Sequence, residues 1–110
     1  MATPIHQATY SGLLKTFLDL LPQHAFTGRP VLPLATGGSP ARVMALDYAL
    51  RPVLTALGAH VTQGRFVLGR HIMTAPDGTT PLDHDDKLQL GWAIAQFART
   101  LPPHAHLTAV

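Results

Sequence analysis

The 110-residue chain carries a formal charge of +2, with 46% hydrophobic and only 13% charged residues. Its length suits one domain and excludes two, and a domain of this size buries about 65% of the surface its unfolded chain exposes. The charged share falls well below the roughly 25% usual for soluble domains, which implies that partner chains cover part of the surface.

The eight Lys and Arg residues are scattered, with only Arg65 and Arg70 approaching each other. A nucleic-acid partner needs basic residues gathered on one face, so none is expected. The absence of cysteine excludes a disulfide framework, a thiolate nucleophile and a Cys-type zinc site. The opening Met1-Ala2-Thr3-Pro4-Ile5-His6 has no basic segment leading into an apolar stretch, so it does not read as a signal peptide. No apolar run approaches the roughly 18 residues of a membrane span. A cytoplasmic chain without a membrane partner is expected.

The first element is a helix from Ser11 to Pro22, with Leu13, Leu14, Phe17, Leu18 and Leu21 at helical spacing and Leu20 widening the arc. Ser11 reads as its N-cap and Pro22 as its stop. Val31 to Thr36 then reads as a short strand buried on both faces. Pro33 inside it cannot donate a ladder bond, so one neighbour of this strand is expected to be irregular or absent. Thr36-Gly37-Gly38-Ser39-Pro40 follows at once, with Ser39 as N-cap and Pro40 at the first helical position.

That second helix is expected from Pro40 to Leu57, with Gly58 just past its end. Val43, Leu46, Leu50, Val53, Leu54 and Leu57 form its core stripe, and Asp47 and Arg51 stand four apart with the acid first. Pro52 lies inside it and clashes with the carbonyl of Tyr48, so a π-bulge or kink is expected there. Tyr48 falls roughly opposite the core stripe with Met44 near it, and both are expected at a subunit interface.

Val61 to Leu68 reads as a second strand, broken at Gly64 by a bulge or bend. Residues 69–82 form a turn-rich connection around Pro76-Asp77-Gly78. A last helix runs from Asp83 to about Leu101 and stops at Pro102-Pro103. Leu90, Ile94, Phe97 and Leu101 form one stripe and Leu88, Trp92 and Ala95 another, so this helix is expected to bury more than one face. The order α-β-α-β-α implies parallel strands joined by right-handed crossovers. Two strands cannot separate three helices in a doubly wound arrangement, so the chain reads as part of a larger fold.

Three segments together carry a resemblance. Thr3-Pro-Ile-His-Gln-Ala-Thr-Tyr-Ser-Gly-Leu-Leu-Lys-Thr-Phe-Leu-Asp-Leu-Leu-Pro22 is similar to the flavin-facing loop and following helix of NADPH-dependent FMN reductases. Val31-Leu-Pro-Leu-Ala-Thr-Gly-Gly-Ser-Pro40 resembles their fourth strand and the loop that cradles the flavin ring. Ala45-Leu-Asp-Tyr-Ala-Leu-Arg-Pro-Val-Leu54 resembles the π-helix used for oligomer contacts in the alkanesulfonate-utilisation branch. The match covers residues 2–68 well and the remainder loosely.

The resemblance implies an α/β fold, a partial flavodoxin-like doubly wound parallel sheet lacking its N-terminal strands. Residues 1–103 would be the C-terminal portion of such a domain and 104–110 a flexible tail. Pro4, Ile5 and His6 would lie along the isoalloxazine, and Thr36, Gly37 and Gly38 would offer backbone groups to its polar edge. Glycines permit close approach to a flat ring, and ligands of open α/β sheets bind beyond the C-terminal strand ends. Here His6 replaces a tyrosine and Gln7 a lysine of close relatives. The Ser- and Arg-rich loop that binds the FMN phosphate in the family has no counterpart, and the chain is expected to start where the family's third strand ends.

The implied activity is NADPH-dependent reduction of FMN, supplying reduced flavin to a flavin-dependent monooxygenase in sulfonate metabolism. A homo-oligomer, dimer or tetramer, would perform it, and quinone or azo-dye reduction would use the same site. Direct hydride transfer to the ring requires no protein acid or base, so no catalytic residue is assigned. The competing reading is a non-enzymatic fragment that keeps the oligomerisation helix and half a flavin site. Ser39 lacks a Gly-x-Ser-x-Gly elbow. Asp83-His84-Asp85-Asp86 reads as an N-cap and an acidic first turn complementing the helix dipole, so no metal site is assigned. His24, His60 and His71 share no motif, His104 and His106 read as solvated, and Trp92 reads as helix packing.

Overall fold

A computed structural model of the protein describes residues 1–39, 43–72 and 75–102. The chain opens with a strand, β1 (Ala2–His6), which turns back into β2 (Thr9–Tyr10) and leads to α1 (Gly12–Asp19). Then come β3 (Pro30–Val31), β4 (Leu34–Gly37), a π-helix (Leu46–Leu50) running directly into α2 (Arg51–Ala56), β5 (His60–Val61) and β6 (Arg65–Leu68). A 3-10 turn (Gly69–His71) and α3 (His84–Ala98) complete the described fold.

The main sheet has the order β2-β1-β4-β6, with β1, β4 and β6 parallel and β2 antiparallel at the edge. Ala2, Leu34 and Arg65 form one row across the parallel strands, Thr3, Ala35 and Phe66 the next, and Pro4, Thr36 and Val67 the third. Successive rows face opposite sides of the sheet. The Thr3–Ala35–Phe66 side meets the core, where Ile5, Tyr10, Leu18, Ala35, Ala45, Leu46, Leu50 and Leu54 are buried together. Leu50 and Leu54 are fully enclosed, and burying a side chain of that size contributes about 1.5–3 kcal/mol.

The expected pairing of 31–36 with 61–68 is present and parallel, but split in two. Pro30 and Val31 pair with His60 and Val61, then Leu34–Gly37 with Arg65–Leu68. The break falls at Pro33, as its lack of an N–H requires. Its carbonyl accepts from Arg65 N–H at 3.1 Å. Gly64 faces this carbonyl so closely that a Cβ there would lie 2.6 Å from the Pro33 oxygen.

β1 corrects the expectation that the chain begins beyond a strand. The resemblance implied a flavin-facing loop from Thr3, yet Thr3 and Ile5 are buried and Ala2, Pro4 and His6 exposed, the period-two signature of a strand. The strand count and the α-β-α-β-α order change accordingly. The β1–β2 turn is unusual, because Gln7 and Ala8 adopt φ values of 48° and 63° without being glycine. Two left-handed central residues are what a two-residue hairpin of matching twist demands.

The π-helix lies where the Pro52 clash required it, and the Arg51 N–H bonds the Leu46 carbonyl across the wide turn. Leu46, Leu50 and Leu54 are buried as expected, but Val43 is 46% exposed. The widened turn rotates residues ahead of Leu46 away from a stripe drawn at 3.6 per turn. The expected Ser39–Pro40 start of this helix involves Pro40, outside the described residues, as is the 104–110 tail. Arg51 bonds Asp47 at 3.3 Å and also donates to the carbonyls of Val61 and Thr62, each at 3.2 Å, tying the crossover helix to the end of β5.

α1 is capped by Ser11, whose Oγ accepts from Leu14 N–H at 3.1 Å, but it ends at Asp19 rather than reaching Pro22. Only Leu18 is buried in it, while Leu13, Phe17 and Leu20 are exposed. In α3 the inward stripe is Asp86, Leu90, Ala93 and Phe97. Leu88, Trp92 and Ala95 stay exposed, so the expected second stripe is not covered among the described residues, and Ile94 of the first stripe is exposed as well.

The hairpin strain is testable. Ala8→Gly relieves a left-handed residue costing about 1–2 kcal/mol, offset by about 0.4–1 kcal/mol of extra unfolded-chain freedom. Urea denaturation should show a net gain of roughly 0.5–1 kcal/mol, and a loss would mean that the turn is not left-handed at Ala8.

Candidate functional site

Parallel alignment brings the C-terminal ends of β1, β4 and β6 to one edge of the sheet. Pro4 stands opposite Thr36, and Gly37 opposite Leu68. The segments ending in His6 and Gly38 therefore lie side by side, with Gly69 next to them, its Cβ direction 3.6 Å from the Gly37 oxygen and 3.9 Å from Thr36 Oγ1.

Within this group, Pro4, His6 and Gly38 are exposed, and Thr36 and Gly37 half-buried. Ile5 is only 3% exposed and packs into the core. Space around Gly38 is open, with nothing within 4 Å of a Cβ built there. Thr36 Oγ1 is buried and has no hydrogen-bond partner among the described residues. A buried hydroxyl without a partner costs about 1–3 kcal/mol, which a ligand group would recover.

Thr3 holds this arrangement together, a role not apparent from the sequence. Its Oγ1 donates to the Pro4 carbonyl at 2.8 Å and accepts from Ser11 N–H at 3.1 Å, joining β1 to the start of α1. Tyr10, buried beside it, has its phenol held above the ordinary pKa by burial, with Lys15 pulling the other way. The left-handed Gln7 and Ala8 then aim His6 outward.

A cavity of about 310 Å³ reaches Pro4 and Thr36 from the α3 side of the sheet and is otherwise walled mainly by Leu34, Val67, Ile72, Leu82 and Leu90. A larger one, about 440 Å³, lies at the outer edge of β6 and touches none of the six expected flavin residues. Tyr48 and Met44 are 75% and 57% exposed on the crossover helix, and their neighbours Val43 and Asp47 line the larger cavity.

The structure also joins residues that the sequence left separate. His71 Nδ1 lies 2.6 Å from Asp86 Oδ2, with a carboxylate oxygen of Asp83 within 4.8 Å of both. Asp83 occupies the N-cap position of α3 but makes no side-chain capping bond. Together with Asp83 N–H bonding the His71 carbonyl and the Ile72–Leu82 bridge, this pair closes the 69–82 connection onto the helix.

A mostly parallel α/β sheet with helical crossovers is of the flavodoxin-like class. The comparisons identify the family. The family model for NADPH-dependent FMN reductase matches residues 1–72, and the chain belongs to that family. An FMN reductase (NADPH) of Pseudomonas putida is 51% identical across 94% of this chain and 57% of its own length. One from Escherichia coli is 63% identical across 54% of this chain and 31% of its own. The solved apo form of an NADH:FMN oxidoreductase (EMOB) superposes with a TM-score of 0.80 at 48% identity, covering 94% of this chain and 52% of that one. The chain thus spans about half the length of the two long matches.

The closure of the 69–82 connection yields a prediction. Asp86→Ala removes a partly exposed side-chain hydrogen bond to His71 and should cost about 1 kcal/mol. Amide exchange at Ile72 and Leu82 should quicken relative to the core strands; unchanged exchange would show that the pair does not hold the connection.

Proposed function

We propose that this chain carries the ring-binding portion of an FMN reductase, in which a nicotinamide dinucleotide reduces FMN. The single observation that carries this reading is the Pro4–Thr36 register, which sets two loops side by side beyond parallel strand ends in a member of this family. Pro4 and His6 offer side-chain surface to the flat ring. Gly37 and Gly38 offer backbone groups, and the Thr36 hydroxyl supplies a hydrogen bond that no group among the described residues takes up. FMN, when bound, supplies the redox chemistry by accepting a hydride from the nicotinamide. The chain's own task is to bind, orient and shield the ring.

NADPH is the proposed donor, on the name of the family; the solved relative is described with NADH, so both dinucleotides belong in the assay. A flavin-dependent monooxygenase is the proposed recipient of reduced flavin. The second reading, a non-enzymatic chain with half a flavin site, draws on the fraction of its relatives that it spans. Steady-state oxidation of NADPH and NADH with FMN separates the two readings.

Because the proposed contacts all address the ring, FMN and riboflavin should bind with similar affinity. Gly38→Val should weaken both together, by about tenfold for roughly 1.4 kcal/mol of lost contact. Fluorescence titration with the two flavins tests this. A tenfold preference for FMN would establish a phosphate site within the chain.

The exposed Met44 and Tyr48 on the π-distorted helix are proposed as the contact of a homo-oligomer. Removing a buried interfacial aromatic typically costs 2 kcal/mol or more in binding, roughly 30-fold. Tyr48→Ala should therefore shift sedimentation toward smaller species, and an unchanged mass distribution would remove the helix from the interface.

A further inference from the structure

Side chains from two separate segments meet at the start of α3. Asp83 and Asp86 stand three apart at its first turn, and His71 closes the 3-10 turn that follows β6. Each offers one ligand atom, and these atoms lie within 4.8 Å of one another. The imidazole is what separates this set from an ordinary acidic helix start, since it arrives from the other end of the 69–82 connection.

The usual duties of these residues do not account for the arrangement. An aspartate at an N-cap normally accepts from a backbone N–H two or three residues on. Asp83 occupies that position without making such a bond. Asp86 engages His71 at 2.6 Å, while the ion pairs among the described residues include neither Asp83 nor Asp85. The helix N-terminus offsets part of this negative charge but does not remove the attraction of two carboxylates for a cation.

A second observation is the space in front of the group. His71 and Asp86 line the 440 Å³ cavity at the outer edge of β6, and their side chains are 33% and 22% exposed. An ion with three protein ligands keeps a position open for water or a small ligand, and here that position meets the cavity. Zinc takes nitrogen and oxygen at about 2.0–2.2 Å, which sets tetrahedral ligand atoms about 3.3 Å apart. His71 and Asp86 would part by less than about 1 Å, and Asp83, exposed at the surface, would swing toward them.

We propose that His71, Asp83 and Asp86 bind one divalent ion of the zinc type, its remaining position facing the cavity. One imidazole nitrogen with two carboxylates suits such an ion better than magnesium or calcium, which prefer oxygen ligands throughout. The ion pins the Gly69–His71 turn to α3. A Cβ built on Gly69, at the head of that turn, would lie 3.6 Å from the Gly37 oxygen, so the ion also steadies one wall of the strand-end loops. None of its three ligands belongs to the proposed flavin contacts, so the metal site stands or falls separately from that reading.

The full chain, stripped of metal with a chelator, is titrated with Zn²⁺ by calorimetry. A second preparation carries His104→Ala and His106→Ala, which removes the histidine pair near the C-terminus. One ion should bind the second preparation as tightly as it binds this site in the unaltered chain. Amide exchange should slow at Ile72 and Asp83, whose N–H groups bond the carbonyls of Gly69 and His71. His71→Ala and Asp83→Asn should each weaken binding at least tenfold, and excess Mg²⁺ should not displace the zinc. Asp83→Asn removes no capping bond, so it keeps the test decisive even where His71→Ala unfolds the connection. Zinc affinity unchanged by Asp83→Asn overturns the proposal, as does binding that disappears with His104 and His106. Displacement by Mg²⁺, or no zinc binding at all, overturns it equally.

Discussion

Pro33 and Gly64 meet at the point where the sheet would otherwise run continuously, and the rest of the architecture follows from their contact. Proline cannot donate, so the ladder between the two long apolar segments has to break beside it. Its carbonyl still accepts from Arg65, and the missing side chain of Gly64 lets the strands close to that distance. The contact fixes Leu34 opposite Arg65, and every later pair in β4 and β6 follows from it. Because β1 is in register with β4, the same constraint decides which residues end up together beyond the strand ends. A slip of one residue would exchange the Thr3–Ala35–Phe66 row for its neighbours and turn polar and proline residues into the core.

Much of this was legible in the sequence, and the rest was hidden for specific reasons. Pro52 inside an otherwise regular helix announced the π-helix, because a ring clash and a missing donor leave few solutions. The parallel strands and the cap at Ser11 followed from apolar runs and from side-chain chemistry. Val43 was misplaced by the same π-helix that Pro52 predicted, since a stripe drawn at uniform spacing ignores the rotation. β1 was obscured because the opening residues were matched to a loop of the family, and the burial of Thr3 and Ile5 between exposed neighbours appears only in the structure. Leu13, Phe17 and Leu20 matched helical spacing, but spacing alone cannot distinguish a face that meets the core from one that meets solvent or a partner.

For the candidate site, the glycine pair and the strand-to-loop transition marked one half, and the family resemblance marked the other. Neither could show that Ile5 turns inward, which depends on the strand phase of β1. Thr3 as a clasp needed the hairpin, and the His71–Asp86 pair needed the path of the 69–82 connection. Local chemistry and the parallel strand pairing were readable from the residues, whereas the side-chain closures of Thr3 on Ser11 and of His71 on Asp86 were not.

The sheet registers also carry a consequence for how the chain reaches this structure. Thr3 finds Ala35, and Ala35 finds Phe66, across gaps of about thirty residues each. Closing such loops costs chain entropy before any strand contact repays it, so parallel sheets form slowly relative to helices. The one local pairing in the main sheet, β1 with β2, turns through two non-glycine left-handed residues and starts at a disadvantage. The helical crossover, whose contacts are local, is therefore the natural early structure, and the strand ends that bring Pro4 beside Thr36 are assembled last.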